Sequence, residues 1–450
     1  MNSKAKKCSC GDGEYHTRGM TTVKSIEDVM LRNGDLLYSL GNDYHDYDPL
    51  EPSLTEQIVN RAIKETNEIS ISRIRTPTKF FLEEISVGEL LGTGGFSSVY
   101  GITGINPRGG DDNTYIGIDS SARDHFISSN NSQGKIWINR FALKHLRRKL
   151  VEKPKKFANG AIDLCVEAAF LASLDHPNIL KIHGISAEGV NAYMHGRHDS
   201  FFLIVDRLSE TLQDRVQKWR KEKKRNSSFW GKVKDKKGFK SDTLMAIRLK
   251  AAFDIASALD YLHSKSLIYR DLKPTNIGFD CNERLKLFDF GLCREIPSTE
   301  EKVTPGLLFK MSGGVGTYRY MSPEIANNQL YNQSADVYSF GMVLFEILSL
   351  NQPLISPGSK IVDSQLLRLC CCWPEAAKNL LHKAWSKDMK KRPTMNEIRV
   401  ILKQEIIKLR KGDDTGLFFA QMTEKLKIED ESTCCTEATS ISGASISVKK

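Results

Sequence analysis

Tyr269-Arg270-Asp271-Leu272-Lys273-Pro274-Thr275-Asn276, followed thirteen residues on by Asp289-Phe290-Gly291, decides how this 450-residue chain is read. Two carboxylates and a carboxamide on adjacent loops supply a proton acceptor and oxygen ligands for a hard cation such as Mg²⁺. Phosphoryl transfer needs that set, because charge on the moving group must be neutralised while the incoming hydroxyl loses its proton.

Upstream, the glycine-rich run 92–97 follows an apolar-polar alternation (Ile85, Val87, Leu90, Leu91) and leads into a second strand. Glycines at such a bend let backbone N–H groups approach phosphate oxygens, although a ligand-free hairpin has the same composition. No Gly-Lys-Ser/Thr closes the run before a helix, so a P-loop is excluded. Phe141-Ala142-Leu143-Lys144 embeds a lysine in an apolar strand, where it needs a partner and suits a polyphosphate. Glu167, on a helical stretch ending before His176-Pro177, could pair with it.

Together these motifs resemble the eukaryotic protein kinases. They run in family order: the glycine loop, Lys144, Glu167, the 269–276 loop, Asp289-Phe290-Gly291, Ser322-Pro323-Glu324, Asp336-Val337-Tyr338-Ser339-Phe340-Gly341, and Arg392 in Lys-Arg-Pro-Thr. The resemblance implies an α+β, two-lobed kinase fold with a small antiparallel sheet and one main helix in the first lobe, and a mostly helical second lobe. It implies ATP and Mg²⁺ as cofactors and transfer of the γ-phosphate to Ser/Thr hydroxyls of protein substrates. Asp271 would take the hydroxyl proton, Lys273 would steady the phosphate, Asn276 and Asp289 would hold Mg²⁺, and Lys144, fixed by Glu167, would grip the α and β phosphates. The implied nucleotide site comprises Leu91, Gly92, Thr93, Gly94, Gly95, Phe96, Ser97, Ser98 and Val99 of the glycine loop, then Ala142 and Lys144 of the strand. Val205 would guard the back of the adenine pocket, with Asp206 and Leu208 at the hinge.

Further matches carry structure: a Glu324–Arg392 pair, Asp336 anchoring the catalytic loop, and an apolar stack of Leu171, Tyr269 and Phe290. The chain departs from the family pattern at Ser97 for the third glycine, Tyr269 for histidine and Ser322 for alanine, and none of these removes a catalytic group. Lys273 and Thr317 match the serine/threonine pattern, while Asp-Val-Tyr-Ser-Phe-Gly resembles the tyrosine-kinase-like branch, leaving dual specificity open. Arg270 beside the base points to control by phosphorylation, at Ser298, Thr299, Thr304 or Ser312. The rival reading is a pseudokinase or scaffold that binds nucleotide or partners without catalysis.

Charge sharpens the organisation. The formal net charge is +10, from 65 Lys+Arg against 55 Asp+Glu, and residues 215–240 alone hold twelve basic and two acidic side chains, the whole excess. A generally basic, nucleic-acid-coating protein is therefore disfavoured. An insertion at about 219–241 is expected to carry these charges, interleaved with Trp219, Phe229 and Trp230, either as a solvated loop or as a site for anionic lipid, acidic protein, nucleic acid or an import receptor. A second insertion is expected at about 101–136, because 45 residues separate Val99 from Lys144 where two strands and a hairpin need roughly 15.

The expected domains are an N-terminal extension (1–79), the kinase domain (80–409) and a Ser/Thr-rich, disordered tail (410–450). The extension is expected to hold one helix, opened by a Ser53/Glu56 capping box with Leu54, Ile58 and Ala62 at helical spacing. Ten cysteines, several adjacent, fit a reduced intracellular setting, cytoplasmic with nuclear entry through the basic insertion. Cys8, Cys10 and His16, and the acidic run 43–48, are not read as metal sites. No signal peptide, myristoylation glycine or transmembrane segment is read.

Overall fold

The computed structural model describes residues 51–72, 74–106, 140–228, 239–296, 308–353 and 373–410. Helix α1 (Pro52–Asn67) comes first. Pro52 takes its first position, where a missing N–H costs nothing, so Glu51 is the cap residue. Ser53 thus falls inside the first turn, and the expected Ser53/Glu56 capping box does not form: the helix has no side-chain N-cap. The apolar spacing does hold, with Ile58 and Ala62 buried and Leu54 packed against the core.

A six-stranded sheet follows, built from β1 (Thr78–Phe80), β2 (Ile85–Thr93), β3 (Ser97–Ile105), β4 (Phe141–Leu146), β5 (Ile182–Ser186) and β6 (Phe202–Asp206) in the order β1-β5-β6-β4-β3-β2. It is antiparallel except at one edge, where β1 joins β5 in parallel, an addition to the expected antiparallel sheet. Period-two alternation in β4 separates two layers. Phe141 and Leu143 enter an outer cluster with Phe202 and Ile204, while Ala142 and Leu146 enter the main core. Lys144 therefore points to the same side as Ala142, between Val99 of β3 and Leu203 of β6 in register. Helix α2 (Pro154–Ser173) packs beneath that side.

The second lobe is mostly helical. After the short β7 (Leu208–Thr211) come α3 (Leu212–Ser227) and α4 (Phe239–Ser264), then β8 (Leu267–Ile268), β9 (Ile277–Asp280), β10 (Leu285–Leu287) and β11 (Arg294–Glu295), and finally α5 (Ser334–Ser349), α6 (Glu375–Ala384) and α7 (Met395–Arg410). One continuous core runs through α2, α4, α5 and α7.

The first residues of both expected insertions belong to regular elements instead. Strand β3 keeps its pairing to β2 through Ile105. Residues 219–227 continue α3, and Trp219 is core rather than part of a basic patch, because Leu212, Val216 and Trp219 fall on one helical face and are all buried. Residues 107–139 and 229–238, the N-terminal cysteines, the acidic run and the tail lie outside the described residues.

Candidate active site

The thirteen-residue spacing between the two motifs is a hairpin. Strands β9 and β10 pair antiparallel, and the returning chain bonds Phe288 N to Asn276 O at 3.1 Å, which brings Asp289 back beside the loop that carries Asp271. That loop hangs from one buried carboxylate. Asp336, fully buried at the start of α5, accepts the backbone N–H groups of Tyr269 and Arg270 at 2.9 Å each and the Nε2 proton of His263 at 2.9 Å.

Asp271 is held at both oxygens. Oδ1 accepts the backbone N–H and the hydroxyl of Thr317, both at 2.9 Å, while Oδ2 accepts Lys273 Nζ at 2.6 Å and Asn276 Nδ2 at 2.9 Å. Lys273 also donates to the Thr317 hydroxyl at 2.9 Å. In the sequence Thr317 is legible only as a mark of specificity; its contact with Asp271 is not. Tyr269, in the place of the usual histidine, donates its hydroxyl to the Phe288 carbonyl and packs edge-on to Phe290, ring centroids 5.3 Å apart. With buried Leu171 these two rings complete the expected apolar residues.

Lys144 Nζ meets Glu167 Oε2 at 2.5 Å, both side chains buried. Burial alone would pull the lysine down, but the carboxylates of Glu167, Asp289 and Asp163 outweigh it and hold the ammonium above its usual range. Asp163 was missed in the sequence. It lies one helical turn before Glu167, and a Cβ added at Gly291 would stand 3.3 Å from its own Cβ. Burial raises its carboxyl to about 6, helped by Asp289 and Glu65 and opposed by Arg294 and Arg61.

The glycine loop is a tight hairpin, Thr93 opposite Ser98 and Gly94 N bonded to Ser97 O at 2.8 Å. Phe96 lies against α2 at Gly160, where a Cβ would stand 2.9 Å from that of Phe96, so only glycine admits the contact. At Gly92 and Gly95 an added Cβ would meet no heavy atom of the described residues within 4 Å, leaving open space beside the backbone. A polyphosphate fits such a cradle, between the loop and the Lys144 ammonium. For a cation, the Asp289 carboxylate and the Asn276 amide oxygen are hard donors of the right kind. Among the described residues no cluster of three or more His, Cys, Asp or Glu is arranged for a metal, so a cation here would complete its shell from phosphate and water.

At the predicted adenine pocket, buried Val205 sits opposite Ala142 in the β6–β4 register. The Asp206 carboxylate is occupied by His183 at 2.8 Å, the Lys181 N–H at 3.1 Å and Lys286 at 3.4 Å. Burial pushes this acid up, but His183 and Lys286 more than offset that and hold it below its usual value. The carboxylate of Asp206, a predicted hinge residue, is therefore already engaged within the protein, and its N–H is bonded to the Lys181 carbonyl at 3.1 Å. Leu208 is half-buried and packs on Gly278.

In the second lobe Arg392 forks onto Glu324 at 2.5 and 3.0 Å, the expected buried pair. Arg270 turns its guanidinium to exposed Ser312, Nη1 to Oγ at 2.7 Å, and to the Tyr331 hydroxyl at 3.1 Å. Of the four candidate modification sites, Ser298, Thr299 and Thr304 lie outside the described residues.

Comparison with known proteins agrees with this geometry. The family model "Protein kinase domain" matches residues 135–401, and the chain belongs to that family. Similar curated proteins include three from Arabidopsis thaliana. Serine/threonine-protein kinase STY46 is 35% identical over 187 residues, covering 39% of this chain and 29% of that protein. Receptor-like kinase LIP1 is 32% identical over 245 residues (53% and 31%), and serine/threonine/tyrosine-protein kinase HT1 is 32% identical over 163 residues (35% and 39%). The match spans only part of the curated relatives: this chain covers 15% of one Dictyostelium discoideum kinase and 39% of HT1.

Proposed function

We propose that the chain is an ATP- and Mg²⁺-dependent protein kinase that phosphorylates Ser/Thr hydroxyls of protein substrates. The observation that carries this reading is the coexistence of the closed Lys144–Glu167 pair with an Asp271 carboxylate fixed at both oxygens. Asp271 accepts the proton of the substrate hydroxyl as that oxygen bonds to the γ-phosphorus and the bond to the β-phosphate oxygen breaks. Lys273 stays against the base and the phosphate, and Lys144 grips the α and β phosphates. Bound Mg²⁺ supplies charge neutralisation on the phosphates, with Asp289 and Asn276 as its protein ligands. Since little covalent chemistry is asked of the protein, positioning and electrostatics carry the acceleration. Against the pseudokinase alternative, Lys144, Asp271, Asn276 and Asp289 are all present.

The test is phosphate incorporation into a generic Ser/Thr peptide mixture by the purified chain, with Asp271→Ala as control. No incorporation by the unmodified protein after treatment with an activating kinase would sink the reading. Ser312 is the described candidate for activation, since a phosphate there would meet Arg270 directly; if so, Ser312→Ala lowers turnover and leaves nucleotide affinity intact.

Lys218, Lys221, Lys223, Lys224 and Arg225 on α3 are exposed, and of these Lys218 pairs with Glu210. This supports an anion-facing surface continuing into the basic insertion, open to anionic lipid, acidic protein, nucleic acid or an import receptor. Deleting 221–240 should abolish heparin retention while sparing turnover. Among the described residues no helix is long and apolar enough to cross a membrane. The free thiols Cys165, Cys281 and Cys293 support an intracellular, reduced setting.

A further inference from the structure

The segment ahead of the sheet touches both halves of the candidate active site. Helix α1 lays Ile58, Val59 and Ala62 into the core shared with Ile162, Val166 and Phe170 of α2, the helix that carries Glu167. The chain then turns back. Ser70 donates its hydroxyl to Glu295, whose other oxygen accepts the Ile71 backbone N–H at 3.0 Å. Next to it Arg294, 3.9 Å from Glu65, places another nitrogen on the Gly291 carbonyl at 3.2 Å. Further on, the N–H groups of Ile74 and Arg75 converge on the Ala172 carbonyl at 3.1 and 2.9 Å. That carbonyl belongs to the last turn of α2, where oxygens lack intrahelical donors. The Arg75 guanidinium closes the run on Asp175 and on the Leu174 carbonyl.

We propose that residues 52–72 and 74–75 form a positioning strap that holds α2 and the Asp289-Phe290-Gly291 segment in register, with Glu295 as the positioning residue that ties the strap to the Mg²⁺-binding side. One segment fixes the apolar face and C-terminal end of α2, hence Glu167 and Lys144. Through Glu295 and Arg294 it also fixes β11, five and six residues after Asp289. The joint is built for adjustment rather than for permanent burial. Ser70 is exposed, Glu295 is half-buried, and a cleft of about 390 Å³ lined by Thr66, Asn67, Ile69, Ile71, Ala169 and Ser173 separates strap from helix. Contacts of this kind contribute modestly, so engaging or releasing the strap changes site geometry without unfolding the domain.

This inference deepens the kinase reading, so its test does not depend on turnover alone. Glu295→Ala, Glu295→Gln and Ser70→Ala are compared in the full chain by hydrogen–deuterium exchange, Mg·ATP affinity, kinetics and melting temperature. Glu295→Ala should speed exchange in 160–173 and 289–296 but not in α5. It should also weaken Mg·ATP binding and lower kcat/KM by about three- to tenfold, the scale of one or two lost hydrogen bonds. Gln retains an acceptor oxygen and should recover most of both; Ser70→Ala should show a smaller change of the same pattern, and it decides the matter if Glu295→Ala does not fold. Unchanged exchange in both segments, or exchange raised evenly through the domain with a matching fall in melting temperature, overturns the strap. If the unmodified chain transfers no phosphate, the exchange and affinity measurements still decide it.

Discussion

Asp163→Asn should stabilise the protein at neutral pH and do nothing in acid. Its carboxyl is half-buried in α2, near the carboxylates of Asp289 and Glu65, and burial is the largest reason its pKa rises from 3.8 to about 6. The folded state therefore keeps a proton that the unfolded chain releases above pH 3.8. Between pH 4 and 6 the native state binds more protons, so this group's contribution to stability falls as pH rises and stays low above pH 6. A shift of about two units at about 1.4 kcal/mol per unit sets a ceiling near 3 kcal/mol; solvent access brings the expected gain to about 1–2 kcal/mol at pH 7. Asparagine imitates the protonated form without the charge, so the gain should vanish near pH 4. Urea denaturation at half-unit steps from pH 4.5 to 8 reads this directly, as a midpoint difference between variant and parent that opens as pH rises with the slope unchanged. A difference independent of pH, or a variant less stable at pH 7, would refute the electrostatic argument.

Other consequences follow from the same geometry. Arg392→Ala leaves Glu324 buried without its fork and should cost about 3–5 kcal/mol in a thermal or urea melt; a loss under 1 kcal/mol would contradict the pairing. His176 and His198 are held neutral with pKa values lowered to about 4, by burial first, aided at His176 by Arg399 and Lys286 and at His198 opposed by Asp199. The unfolded chain takes up those protons below pH 6.5, so stability should fall by about 2 kcal/mol per histidine between pH 7 and 5, and His198→Gln should flatten that slope. Tyr269→Phe deprives the Phe288 carbonyl of its hydroxyl donor and should cost about 1–2 kcal/mol in urea while Mg·ATP affinity stays within threefold.

The legible part of the site was the part whose chemistry depends on residue type. Lys144, Glu167, Asp271 and Asn276 are costly choices for buried positions, Asp289 beside them is half-buried, and their order along the chain restricted what they could jointly be. Contacts set by the path of the chain were not legible. Ser70 and Glu295 lie 225 residues apart and each alone is an ordinary surface residue. Trp219 was hidden by the charges around it, although its spacing from Leu212 and Val216 was the helical signal that should have placed it in the core. The Ser53 box failed for a local reason: the proline that marks the helix start also displaces serine from the cap.

The catalytic loop concentrates backbone strain, and the surrounding fold offsets it. Arg270, next to Asp271, and Asp289, the proposed Mg²⁺ ligand, both adopt left-handed conformations, with φ of 69° and 68°, at a cost of about 1–2 kcal/mol each. Asp336 compensates at Arg270 by accepting two consecutive N–H groups that such a turn would otherwise leave buried and unpaired. Across the cleft Gly316, at φ 96°, lies so close that a Cβ would stand 2.5 Å from the Arg270 carbonyl oxygen, and it is this approach that lets Thr317 donate twice to Asp271. Asp271 is thus oriented by three segments distant in sequence, each locally unfavourable or restricted in residue choice. In its proposed role as the base, Asp271 is thereby aimed before a substrate arrives, which would leave little reorganisation for the transition state.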